Sequence, residues 1–225
     1  MKFAPFAVAL VVASLAGAAF AAPLVVDGAN NSPVQGDCTF ACLDRYQQVY
    51  DSSLFSRTQV VTAIDFRYSS NGYSWSTGNQ YRLTIGIAAF GVGALSANQN
   101  TNFLSSQVFD LESFSGTTTA GAWYGFSGSY TYDASLGDLL IDIQRISGGT
   151  SSIGSDYNRS SGGEFGRTYS GVNWAPETSA YVNQDYGNVT RFNLEDAGSV
   201  PEPASLALMG MALLGLAVAR RTRRS

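Results

Sequence analysis

The sequence contains no histidine, which limits the catalytic chemistry open to it. Without an imidazole there is no Ser-His-Asp or Cys-His catalytic site, and the commonest sets of zinc ligands are missing as well. No glycine-rich phosphate loop follows a strand and opens a helix. The enzymatic option that remains is chemistry between two carboxylates, as in glycosidases.

Basic residues are also scarce, since Lys2 is the only lysine in 225 residues. Residues 22–199 carry a net charge of −8, the difference between 8 arginines and 16 acidic residues. An acidic segment without a basic cluster argues against nucleic acid or an anionic membrane surface as its partner. Its length suits a single domain.

A long apolar run begins directly after Lys2 and extends from Phe3 to Phe20. A positive charge, an apolar stretch and the small residues of Ala19-Phe20-Ala21 are together typical of a secretory signal peptide. We therefore predict a signal peptide over residues 1–21, cleaved after Ala21. A retained N-terminal anchor is the alternative. The prediction makes the Sec export machinery and signal peptidase partners of this chain.

A second apolar run extends from Ala204 to Ala219, after the motif Val200-Pro201-Glu202-Pro203. Its 16 residues fall short of the ~20 in a relaxed transmembrane helix, so we expect a membrane segment that tilts little. Prolines keep the preceding motif extended and accessible to a protease. The basic tail, residues 220–225, acts as a membrane stop that stays cytoplasmic. Its arginines are Arg220, Arg221, Arg223 and Arg224.

This order of Pro-Glu-Pro motif, apolar segment and basic stop resembles the PEP-CTERM sorting signal of Gram-negative bacteria, over residues 200–225. The resemblance implies recognition and processing by an exosortase. It also implies transient anchoring in the inner membrane by the C-terminus, then release to the cell surface or the extracellular space. An ordinary C-terminal anchor that is never cut is the alternative.

The body is similar to PEP-CTERM surface proteins in the segments 47–55, 64–67, 130–133 with the following 137–143, and 188–192. Those proteins are associated with exopolysaccharide production. The similarity implies one β-domain over about residues 24–197. It transfers no catalytic residue and no cofactor.

Between the two terminal runs, apolar and polar residues alternate with a period of two. This alternation predicts β-strands, and clusters such as Ser70-Asn71-Gly72 predict the turns between them. The segments with this pattern are 60–68, 81–87, 124–132, 139–143 and 190–194. We therefore predict an all-β fold, a single antiparallel β-sandwich of jelly-roll type over residues 22–199.

Three shorter segments lack the strand pattern. One short helical turn is expected around Leu43–Val49. The Asn/Gln-rich segment Ala97–Asn102 and the Ser/Gly-rich segment Ser147–Gly166 are predicted to be loops. The second of these is either a surface insertion or a flap over a binding surface.

Cys38 and Cys42 are the only cysteines. One close pair in an exported chain favours a disulfide bond. In an extended strand their Cα atoms would be about 13 Å apart, so the bond requires a turn between them. Two free thiols or a shared metal ion are the alternatives.

Carboxylates around one predicted turn are the candidates for metal binding. Asp133, Asp138 and Asp142 could offer oxygen ligands to calcium. No alternating Asp/Asn loop accompanies them, so solvated turn aspartates are the preferred interpretation and no metal is predicted. Asp138 and Asp142 are about 13 Å apart on one strand, wider than the roughly 5–9.5 Å between glycosidase carboxylates.

A carboxylate pair drawn from different strands stays open, for instance two of Glu112, Glu164 and Glu177. We predict that the chain is not an enzyme, and a secreted glycosidase on a sandwich scaffold is the alternative function. The leading function is an exported surface or matrix protein associated with exopolysaccharide or biofilm.

Tryptophans are the candidates for contact with such a polysaccharide. Trp75, Trp123 and Trp174 lie near Gly, Ser and Asn, as aromatic sugar platforms often do. Trp and Tyr also pack sandwich cores and edges with a polar tip in water, and this packing is the preferred interpretation.

Overall fold

The computed structural model describes residues 22–28, 34–160, 162–171 and 176–197, with the backbone alone for 34–38. Strands make up 52% of these residues, against roughly 20–25% in typical globular proteins. The prediction of an all-β fold with antiparallel sheets is confirmed. The predicted signal peptide (1–21) and the predicted membrane segment (204–219) lie outside the described residues.

Thirteen strands run through the described residues, and each pairs with an antiparallel neighbour. In chain order they are β1 (Leu24–Val26), β2 (Val34–Cys38), β3 (Arg45–Tyr50), β4 (Gln59–Arg67), β5 (Gln80–Ala88), β6 (Phe103–Glu112), β7 (Trp123–Tyr132), β8 (Leu139–Ser147), β9 (Gly154–Arg159), β10 (Phe165–Ser170), β11 (Tyr181–Asn183), β12 (Tyr186–Asn188) and β13 (Thr190–Asp196). The five predicted strands correspond to β4, β5, β7, β8 and β13.

The strands form three sheets whose neighbours are mostly distant in sequence. The four-stranded sheet has the order β1-β13-β4-β7, and the six-stranded sheet has the order β11-β10-β3-β8-β5-β6. A small third sheet has the order β12-β9-β2. Within the described residues, no helix is long and apolar enough to cross a membrane.

The four-stranded and six-stranded sheets bury their apolar faces in one common core. Tyr50 on β3 packs edge to face against Phe192 on β13, with ring centroids 4.9 Å apart. Phe40 lies in the 3-10 turn Phe40–Cys42 and contacts Phe66 of the first sheet and Tyr81 of the second, at 5.4 and 5.2 Å. Such aromatic pairs contribute roughly 0.5–1.5 kcal/mol beyond their area burial. Aromatic side chains from both sheets therefore hold this core together.

The other face of the six-stranded sheet is covered by the predicted loop Ala97–Asn102. The loop contains a 3-10 turn, and its Gln99 and Asn102 are fully buried. Gln47 on β3 donates to the Gln99 carbonyl, and Asn102 donates to Oε1 of Gln47, both at 2.9 Å. These bonds satisfy polar groups that burial would otherwise penalise. The loop is therefore part of the packed structure.

Two predictions for the segments that lack the strand pattern are wrong. The segment Leu43–Val49 forms most of β3 instead of a helical turn. The segment Ser147–Gly166 contains β9, whose Ser155 and Asn158 are buried. Asn158 donates to the Asp27 carbonyl at 2.6 Å. A polar sequence can form a buried strand here because its side chains find hydrogen-bond partners.

Candidate functional site

Trp75 is a core residue, so it is not available as the possible carbohydrate contact for which it was a candidate. Only 7% of the side chain is exposed, and its ring stacks on Phe114 with centroids 4.7 Å apart. The indole N–H donates to the Tyr68 hydroxyl at 2.9 Å. A buried indole with its polar atom satisfied matches the packing interpretation.

Trp123 lies on the outer face of the four-stranded sheet and is partly exposed. The guanidinium groups of Arg191 and Arg67 lie 4.5 and 5.5 Å from its ring centroid. Arg191 also pairs with Asp65 at 2.8 Å, and Arg67 pairs with Asp156 at 2.5 Å. Cations cover part of the ring, and carboxylates neutralise those cations. The third candidate, Trp174, lies outside the described residues.

The three candidate calcium ligands have separate structural partners. Asp133 accepts from the hydroxyl and the N–H of Ser135, which lower the pKa of its carboxyl group. Asp138 accepts from the N–H groups of Ser52 and Val92, both at 2.9 Å. Asp142 pairs with Arg45. Within the described ranges, no group of three or more acidic or Cys side chains is arranged to hold a metal ion.

The glutamates of the glycosidase alternative lie on separate elements. Glu112 ends β6 and Glu164 precedes β10, four strand positions away in the six-stranded sheet. At ~4.8 Å per strand this separation is about 19 Å, too wide for a glycosidase pair. Glu177 pairs with Arg45 at 3.1 Å.

The backbone between the two cysteines makes the turn that a disulfide bond would need. β2 ends at Cys38, and the 3-10 turn Phe40–Cys42 follows directly. The Thr39 hydroxyl accepts from the Ala41 N–H at 2.9 Å and so caps this turn. The side chain of Cys38 is outside the described part of the structure, so the disulfide bond stays a prediction.

A pocket of about 290 Å³ lies where the edge of the six-stranded sheet meets the small third sheet. Its lining residues are Arg159, Arg167, Tyr169, Asn183, Asp185 and Tyr186. None of these residues was a predicted site residue. One feature of the sequence does point to the pocket: Arg167 and Tyr169 are two residues apart, so both lie on one face of β10. Their pairing with β11, however, joins residues that the sequence does not visibly connect.

The C-terminal residues 199–224 match the family model of the PEP-CTERM protein-sorting motif. The match spans the Pro-Glu-Pro triplet and the apolar run, and it confirms the resemblance inferred from residues 200–225. The motif indicates an exported protein, sorted to the cell surface with an exosortase as its partner. No curated protein and no solved structure matches the chain.

Proposed function

We propose that this chain is a non-enzymatic surface or extracellular matrix protein that is associated with exopolysaccharide or biofilm. The observation that carries the proposal is the PEP-CTERM motif at residues 199–224. Export begins with the signal peptide 1–21 through the Sec machinery. The segment 204–219 then holds the chain in the inner membrane until an exosortase processes the tail near Pro201-Glu202-Pro203.

The exported part, residues 22–199, is a single β-sandwich of jelly-roll type. Support for this architecture comes from the two antiparallel sheets over one aromatic core. Several of its acidic side chains neutralise neighbouring arginines or cap turns, as Asp142 and Asp133 do. These roles suit a scaffold protein better than a glycosidase.

Replacing Pro201-Glu202-Pro203 with three alanines tests the sorting step. The hydrophobic span and the arginine stop remain, so insertion and orientation should be unchanged. We expect the variant to accumulate at full length in the inner membrane and to be missing from the surface and the medium. The measurement is intact mass and immunoblotting of cell fractions.

Thr222→Ala is the matched control, because it changes the tail without touching the triplet, the apolar run or an arginine. It should be processed like the wild type. If the triple-alanine variant is also released with unchanged mass, the tail is a plain anchor and the proposed sorting is wrong.

A further inference from the structure

The last strand of the domain ends beside two loops that belong to the same end of the sheets. In the four-stranded sheet, Asp196 at the end of β13 pairs with Gln59 at the start of β4, and Gln59 pairs with Tyr132 at the end of β7. The turn 133–138, which follows Tyr132, therefore lies at the end where the chain leaves β13. The loop 51–58 leads into Gln59 and lies there as well.

Side-chain contacts join these pieces into one surface. Arg57 of the loop pairs with Asp196 at 2.5 Å, and the Ser52 N–H donates to Oδ1 of Asp138 at 2.9 Å. The 3-10 turns within the loop and the turn also contact each other. We call the loop 51–58, the turn 133–138 and Asp196 the tail-side surface. Its Leu136 is 64% exposed.

The exported part also begins at this end of the sheets. β1 runs antiparallel to β13, with Leu24 opposite Phe192. The residues before Leu24 therefore continue toward the end at which β13 finishes. With the predicted cleavage after Ala21, both ends of the exported part leave the domain beside the tail-side surface.

The sorting motif follows the domain after a very short span. Five residues separate Asp196 from Pro201, the first proline of the motif. An extended chain covers at most ~3.6 Å per residue, so the span is at most about 18 Å. Even a 100-residue protein has a radius of gyration of ~13 Å. An enzyme that holds Pro201-Glu202-Pro203 in its active site therefore comes against the tail-side surface.

We propose that the tail-side surface docks on the exosortase while the sorting motif is processed, with Leu136 as an apolar contact. The inference rests on the proposed processing of the tail. Charge favours this partner over the lipid surface, because anionic headgroups would repel Asp51, Asp133 and Asp138. Docking adds to recognition of the motif, since a short span gives the second of two linked contacts a high effective concentration.

Site-specific photo-crosslinking in cells tests the docking. A benzophenone amino acid replaces Leu136 in the full-length chain, and the exosortase carries an epitope tag. Irradiation should give an adduct that contains both proteins. The matched control carries the probe at Leu111, which is 51% exposed. Leu111 pairs with Arg82 on β5, five residues before the Ile87 that pairs with Leu139, so it lies toward the other end of the sheet.

The control position should give no adduct with the exosortase. Absence of the adduct at Leu136, or equal yields at the two positions, would overturn the proposal. An adduct of Leu136 with lipid alone would assign the tail-side surface to the membrane and would overturn it as well.

Pulse-chase labelling measures what the contact contributes to processing. Leu136→Asn should slow the conversion of the full-length chain to the processed form by about fivefold, the effect of one well-packed side chain at an interface. Leu111→Asn should be processed at the wild-type rate. Both side chains are exposed, so both variants should fold, and thermal unfolding of the released domain checks this. Equal processing rates of the two variants would contradict the docking.

The wild type separates this inference from the proposed function. If the wild-type chain accumulates at full length in the inner membrane, the proposed sorting is wrong. If the wild type is processed and released, but Leu136 gives neither an adduct nor a slower variant, the sorting stands and the docking alone fails.

Discussion

Arg45 on β3 and Asp142 on β8 form a bidentate ion pair across neighbouring strands. Nε of Arg45 lies 3.0 Å from each carboxylate oxygen, and one terminal nitrogen lies 2.6 Å from Oδ2. The side chains are only 11% and 8% exposed, and Gln47 donates a further bond to Asp142 at 3.1 Å. The aspartate that the sequence offered as a calcium ligand is thus the counter-ion of a nearly buried arginine.

Asp142→Ala should destabilise the protein by up to about 3–5 kcal/mol, because it leaves the nearly buried Arg45 cation with only the more exposed Glu177 as a carboxylate partner among the described residues. Urea unfolding followed by tryptophan fluorescence measures the change. Arg57→Ala breaks an exposed pair, with Arg57 61% exposed, and should cost less than about 1 kcal/mol. Equal effects of the two substitutions would show that the buried pair contributes no more than a surface pair.

Stability should fall steeply in alkaline solution. Burial raises the pKa of Tyr81 to about 12 and also raises the pKa values of Tyr50, Tyr124 and Tyr132. In the unfolded chain tyrosine titrates near pH ~10, so the unfolded state loses its protons first. The stabilisation is complete below about pH 10 and is lost as the pH rises through the folded pKa values.

Urea unfolding between about pH 9 and pH 12 measures this dependence. Tyr81→Phe should make the loss of stability with pH less steep because it removes one titrating group. Tyr73→Phe is the control, since Tyr73 is 46% exposed. A pH dependence that neither substitution alters would mean that other groups cause the alkaline loss.

Gly86→Ala should destabilise β5, because a Cβ atom at this position would lie 1.9 Å from the Ser105 carbonyl oxygen on β6. Relieving that clash requires the two paired strands to separate. Overpacking of this kind typically costs about 1–3 kcal/mol. Thermal unfolding is the measurement. The control is Gly149→Ala, whose nearest contact would be 3.6 Å from a flexible serine hydroxyl. A melting temperature unchanged in both variants would contradict this account of the strand contact.

Cys38 and Cys42 should be resistant to alkylation until the protein is reduced. The 3-10 turn Phe40–Cys42 supplies the reversal of the chain that a bond over so short a loop requires. Intact-mass measurement after iodoacetamide treatment, with and without prior reduction, counts the modified thiols. Two modified thiols before reduction would show that the pair is free in the exported protein.

Reporter fusions test the predicted orientation in the membrane. A fusion at Ser179 should report the periplasm, because the signal peptide exports the residues that follow it. A fusion at Ser225 should report the cytoplasm, where the arginine stop remains. The same compartment for both fusions would contradict a membrane segment at 204–219.

Periodicity alone was enough to predict the strands whose two faces differ. β4, β5, β7 and β13 alternate between a buried apolar face and a more exposed, mostly polar face, so their sequences carry the two-residue period. The first five residues of β8 are all buried, and its period comes from Leu139, Ile141 and Ile143 alternating with Leu140, Asp142 and Gln144. β3 and β9 were not predicted to be strands, because both of their faces are covered and carry polar side chains. Gln47 and Gln48 of β3 are fully buried on opposite faces, a situation that no local pattern distinguishes from a loop or turn.

The sequence by itself determined where this protein is sorted, because a sorting signal is a local feature that its partner recognises as a linear segment. Residues 200–225 carry the Pro-Glu-Pro motif, the apolar run and the basic stop in this order. The signal could therefore be recognised without knowledge of the fold. Only the tertiary structure decided which polar and aromatic groups meet. Packing of the sheets buried Trp75, and long-range strand pairing brought Asp142 into an ion pair with Arg45. It also placed Arg167 between the rings of Tyr169 and Tyr186. Such contacts join residues up to a hundred positions apart, and their energies arise only when the sheets pack.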